Sequence, residues 1–175
     1  MSKTNKNQKS KIYNKSKVFD TFYDADIETA LFRCFEINGI LTIYPKGNSM
    51  LPTLREGIDS VELSPVGELT VNHIYFYKRS DGRYVLHRLL KIKNGVYIFS
   101  GDNQLVYERV KQDQILACVS QVYKNNKPKG CLGCGKFFLL VNSNHYFRKL
   151  FIRFRELKTD FSKRLQPNNI IKISM

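Results

Sequence analysis

Three short stretches of this 175-residue chain carry side chains that could perform acyl-transfer chemistry together. They are Gly47-Asn48-Ser49-Met50-Leu51-Pro52, Val85-Leu86-His87-Arg88 and Gly101-Asp102-Asn103, with Glu108 a few residues further on. A serine hydroxyl is a poor nucleophile until a neighbouring base takes its proton. Histidine can be that base, and a carboxylate can fix its tautomer and steady its charge. A Ser, a His and an Asp in separate stretches occur in most proteins, so the residue types alone decide little. The question is whether the elements that carry them bring them together.

Those elements are legible from periodicity. Ile27, Ala30, Leu31, Cys34 and Phe35 recur at helical spacing in "DADIETALFRCFEING" and predict an amphipathic helix. Asp24 is placed to cap its start and Gly39 to end it, and Cys34 falls on the apolar face in a structural role. From Gly39 the pattern changes to strands: 40–44, 60–66, 73–79, 83–93, 96–100 and 115–123. Ser80-Asp81-Gly82 marks a turn, and Asn94-Gly95 between two apolar alternations marks a tight hairpin. Short strands at this spacing imply a mainly β protein, a coiled antiparallel domain with little helix. Ser49, His87 and Asp102 then sit at strand ends or loops, where functional groups are usually mounted.

Taken together, "GNSMLPTLREG…DSV", "YVLHRLLKI" and "FSGDNQ" resemble the superfamily of signal peptidases and SOS-repressor autopeptidases. The resemblance covers roughly residues 40–122, with the boxes in the family's order. It implies that Ser49 is the nucleophile, His87 the general base in place of the lysine of bacterial-type enzymes, and Asp102 the aspartate of the Gly-Asp-Asn box. It further implies that Met50 packs beneath the site, that Arg88 partners the base, and that Glu108 stands where His-type members have a second acid. The backbone N–H of Ser49 would hold the oxyanion. The sequence departs from the family at Gly47, where many signal peptidases have a hydroxyl residue, and at Ile58, which intervenes between Gly57 and Asp59 and predicts a bulge at the strand start.

The expected function is a serine endopeptidase acting through a Ser/His dyad or a Ser/His/Asp triad on a short leader or precursor peptide. The alternative is a peptidase-fold module that binds such a peptide without cutting it. No cofactor and no metal is expected. Cys131-Leu132-Gly133-Cys134 has zinc or redox spacing, but no second pair of this kind exists, and a glycine-rich turn with incidental thiols fits better. His73 and His145 have no motif around them.

The net charge of +14 belongs to the ends of the chain. Residues 1–17 carry six lysines and no acid, and 145–175 carry eight Lys/Arg against two acids. We therefore expect a basic flexible tail over 1–22, a signal-peptidase-like catalytic domain over 23–125 and a basic extension over 126–175. In that extension Phe147, Leu150, Phe151, Phe154 and Leu157 share one helical face. Arg148, Lys149, Arg153, Arg155 and Lys158 lie on its flanks and opposite side. Such a basic amphipathic helix can dock its apolar stripe on the β-domain or lie on an anionic membrane, with Arg148, Lys149, Arg153 and Arg155 as the anion contacts. Nucleic acid is not an expected partner, because charge is present without a recognition motif. No apolar run approaches a membrane span, no secretory signal is visible, and the stretch before the first helix is too short for a helix-turn-helix domain. The expected location is cytoplasmic or peripheral at the inner face of the membrane.

Overall fold

The computed structural model describes residues 27–133, 139 and 144–164, the last six by their backbone. The chain is mainly β, as its alternation predicts. Helix α1 (Ile27–Asn38) is followed by strands β1 (Leu41–Ile43), β2 (Ser60–Ser64), β3 (Ile74–Lys78), β4 (Tyr84–Lys93), β5 (Val96–Ser100) and β6 (Glu108–Val110). A short 3-10 turn (Gln112–Gln114) leads into β7 (Ile115–Lys124) and β8 (Lys127–Pro128), and helix α2 (His145–Arg164) closes the described part. The strands form one antiparallel sheet in the order β1-β2-β7-β3-β4-β5-β6, with β8 added to β7. Asn94 and Gly95 both take positive φ at the β4–β5 hairpin, as its turn type requires. The proposed capping role of Asp24 falls outside the described residues, as do the tail and Cys134.

The sheet buries apolar side chains on both faces, because successive residues of a strand point opposite ways. In β3, Ile74 joins a cluster with Leu31, Met50, Leu63, Leu86 and Val119. Its neighbours Tyr75 and Tyr77 join a second cluster with Leu89, Phe99 and Val110. Each fully buried Leu or Phe of these clusters is worth about 1.5–3 kcal/mol against exposure. Helix α1 contributes Leu31, with Phe35 packed against the cluster from its edge, to the first of them. Strands β3, β4 and β7 are thereby fixed from both sides, which makes β4 a rigid mount for whatever projects from it.

Two sequence expectations change. Ile58 is exposed in a turn before β2, and the irregularity in β2 lies further on, between Glu62 and Leu63. The turn is closed by Asp59, whose buried carboxylate takes the Arg55 guanidinium at 2.7 and 2.9 Å. The extra residue is therefore absorbed by a loop, where it costs less than inside a ladder. The second change concerns Glu108: it begins β6, a three-residue strand too short for its alternation to show in the sequence.

Candidate active site

Ser49 lies in a turn between β1 and β2, where Leu51 N–H bonds the carbonyl of Asn48 at 3.2 Å. Gly47 opens this turn with φ +84°, a conformation that side chains with a Cβ rarely adopt. That is a physical reason for glycine where a hydroxyl residue would be strained. Met50 is buried in the first apolar cluster. The loop after β5 is fastened to this turn by Asn103, whose N–H donates to the Ser49 carbonyl at 2.7 Å and whose side chain donates to the Asn48 carbonyl at 3.0 Å. The two boxes are thus bonded to each other through backbone groups.

His87 comes to the same place from β4, paired opposite Tyr75 of β3. Gly101 shows how close the three segments are. A Cβ placed on Gly101 would lie 2.5 Å from the Ser49 carbonyl oxygen, 3.0 Å from Ser49 Cβ and 3.0 Å from His87 Nε2. Ser49 Cβ and His87 Nε2 therefore both lie beside a residue that must lack a side chain. Among the described residues the Ser49 hydroxyl forms no hydrogen bond, and its N–H forms none either, which leaves that donor open toward a developing oxyanion.

The other ring nitrogen of His87 faces three polar groups. Nδ1 is 3.1 Å from Glu108 Oε1 and 3.1 Å from the Tyr77 hydroxyl. Tyr77 donates its own proton to Glu108 Oε2 at 2.9 Å, so its oxygen is free to accept from Nδ1–H. Arg79 grips the same carboxylate with Nε and Nη2 at 2.6 and 2.5 Å. Two acceptors at Nδ1 favour the tautomer with the proton on Nδ1 and the lone pair of Nε2 toward Ser49. Burial pushes the His87 pKa below the ordinary histidine range, although the charge of Glu108 pulls it up. The ring is thus neutral at neutral pH, the form a general base needs. Burial also opposes the charge on Glu108, but the hydrogen bonds from Arg79 and Tyr77 prevail and hold its carboxyl below the usual range. Burial, with the nearby Glu108 charge, keeps the Tyr77 phenol protonated.

The structure corrects the expected partner of the base. Asp102 does not take the place at Nδ1; its carboxylate is gripped by Arg88 Nε and Nη2 at 2.8 and 2.7 Å and by the Thr53 hydroxyl. Arg88 follows His87 in β4, so its side chain projects to the other face of the sheet. It accordingly does not partner His87 directly. It also donates to the carbonyls of Asn72 at 2.5 Å and Leu132 at 3.1 Å. The charge of Asp102 acts on His87 with a smaller influence than that of Glu108. Thr53, Tyr77 and Arg79 were not singled out from sequence. Tyr77 and Arg79 sit two apart on the alternation that runs from β3, a signal of a shared face with no hint of what lies on it.

A second correction concerns Arg148. It is buried against the loop after β5, not exposed for an anion: it donates to Ser100 Oγ at 2.7 Å, to Gln104 O at 2.8 Å and to Gly101 O. Lys149 and Arg153 are exposed, and Arg155 is half-buried.

A cleft of about 580 Å³ reaches Ser49. Its walls include Leu41, Ile43, Met50, Leu63, Phe76 and Leu86, and none of His87, Asp102 or Glu108 lines it. Strand β1 borders it and stands at the end of the strand order, with one edge unpaired by other strands among the described residues. An extended peptide could pair with that edge and place apolar side chains in the cleft. Among the described residues no group of three or more His, Cys, Asp or Glu is placed to hold a metal ion. The sequence matches no protein-family model and no curated protein.

Proposed function

We propose that this protein is a signal-peptidase-like serine endopeptidase that cuts a short leader or precursor peptide. The observation that carries the reading is the juxtaposition at Gly101: Ser49 and His87 Nε2 both lie beside it, with Glu108 at Nδ1. It is supported by the resemblance of the three sequence boxes and by the apolar cleft that reaches the serine. The peptide lies extended along β1 with its scissile carbonyl over Ser49. Nε2 takes the hydroxyl proton as Oγ attacks the carbonyl carbon, and the Ser49 N–H receives the oxyanion. The intermediate collapses as the imidazolium gives its proton to the leaving amine. Water, deprotonated by the same nitrogen, then releases the acyl group and restores the serine. Glu108 and Tyr77 hold the ring throughout, and Arg79 holds Glu108.

Ser49→Ala tests this directly. Cleavage of a peptide with an apolar segment before the scissile bond is expected to fall by about 10³-fold or more. Circular dichroism should be unchanged, and a fluorophosphonate should label the parent at Ser49 alone. Equal turnover by the variant would sink the proposal. The second reading, a module that binds the peptide uncut, is favoured by one observation, the Ser49 hydroxyl having no hydrogen bond to His87 among the described residues. Peptide binding without fluorophosphonate labelling would select that reading.

A further inference from the structure

Helix α2 is docked by its polar side. Arg148 and Ile152, one turn apart, are only 1% and 5% exposed against the β-domain. Tyr146, Phe147, Leu150, Phe154 and Leu157 are between 58% and 82% exposed. At about 100° per residue, Phe147, Leu150, Phe154 and Leu157 form one face on the side away from Arg148 and Ile152. Four of the five stripe residues expected to fill the core therefore point to solvent, while Phe151 is half-buried. The inward face is fixed by what it meets, the acceptors Ser100 Oγ, Gly101 O and Gln104 O, which only a guanidinium at this height can satisfy together. Exposed Val106 and Tyr107 lie beside the start of the helix, with the Tyr107 hydroxyl 2.8 Å from His145 Nδ1 and its ring centre 5.7 Å from the Arg148 guanidinium carbon. A contiguous aromatic surface of this kind marks an interaction site.

Charge identifies the occupant. Exposed Lys149 and Arg153 flank the stripe on one side and Lys158 on the other, where its ammonium lies 4.8 Å from the Phe154 ring centre. At the same 100° per residue the acid Glu156 falls on the flank of Lys149, where Lys149 and Arg153 outnumber it. A two-fold pairing of this surface with a second copy would set these cations beside each other. Anionic headgroups neutralise them while the aromatic stripe enters the acyl boundary. We propose that the outward face of α2 is a docking surface for an anionic membrane, on which the protein lies without spanning it. The inference stands apart from the peptidase reading and does not depend on it.

The test uses the full chain and vesicles of phosphatidylcholine with and without phosphatidylglycerol. The chain is expected to sediment with the anionic vesicles, to stay in solution with the neutral ones and to be released by salt. Leu150→Glu with Phe154→Glu should weaken binding by at least about tenfold, since two anchors leave the acyl boundary. Both side chains are exposed, so thermal unfolding of this variant should match the parent. Lys149→Glu with Arg153→Glu should abolish the preference for phosphatidylglycerol. The proposal is overturned by failure to sediment, by equal sedimentation with neutral vesicles, or by full binding of the Leu150/Phe154 variant. It is equally overturned if ultracentrifugation without vesicles shows a dimer that the Leu150/Phe154 variant disperses.

Discussion

Two carboxylates stand a short distance apart in the chain, and neighbouring residues of β4 reach for them. His87 meets Glu108, and Arg88 grips Asp102. The Arg88–Asp102 pair is fully buried, with both side chains at 0% exposure, and each guanidinium nitrogen has an acceptor. The His87–Glu108 pair is ringed by Tyr77 and Arg79, and Glu108 keeps some contact with solvent. One pair joins a buried guanidinium to a buried carboxylate. The other contains a group that titrates. A strand whose side chains alternate in direction has put a fastening on one face and a titratable imidazole on the other. The acid nearest a histidine in sequence motif terms is thus not the acid that orients it.

The comparison breaks first at Arg88. Replacing Arg88 by Met removes the guanidinium that grips the buried Asp102 carboxylate at two oxygens. Removing one partner of a buried pair costs about 3–5 kcal/mol, a large share of the roughly 5–15 kcal/mol that stabilise a domain. Urea unfolding should show that loss. A cost near zero would mean that the pair fastens little.

At Glu108 the expected damage is to turnover. Glu108→Gln keeps the size of the side chain and removes the charge that steadies the imidazolium. A fall in kcat of roughly 10²–10⁴-fold is expected. Stability should drop less than for Arg88→Met, because the Arg79 side chain is 24% exposed and can turn to water. If Asp102→Asn reduced kcat more than Glu108→Gln at equal folded fraction, the assignment of roles to the two acids would reverse.

The difference between the pairs also explains what could be read from the sequence. Strand positions, the Asn94-Gly95 hairpin and the helical period of α1 follow from local rules, so the scaffold was legible. Ser49 and His87 were legible because the boxes that hold them are distinctive. The partner of His87 was not, since a three-residue strand leaves Glu108 with no periodic signature and its pairing with β5 is a long-range choice. Tyr77 and Arg79 were hidden for a related reason: alternation says that two side chains share a face, and only the β3–β4 register says that His87 is beside them. Arg148 was misplaced because an aromatic stripe is normally the buried one. Three oxygens from the loop after β5 outweighed that rule, and no sequence pattern announces them.

The smallest effect separates the two acids most finely. The His87 pKa lies below the ordinary histidine range because burial disfavours the imidazolium. The acid limb of kcat/KM should therefore fall at a pH below that of an exposed histidine, near 6.5. Both acids oppose this depression, Glu108 more than Asp102. Removing a charge that favours the imidazolium lowers the pKa further, so each amide variant should carry its acid limb to still lower pH. Glu108→Gln should move it further than Asp102→Asn, although the former is much the slower enzyme. Residual activity that survives deeper into acid as the rate falls is the signature of a carboxylate lost beside the base, and a general loss of structure would not produce it. Limbs that coincide in all three proteins would mean that the titrating group is not His87.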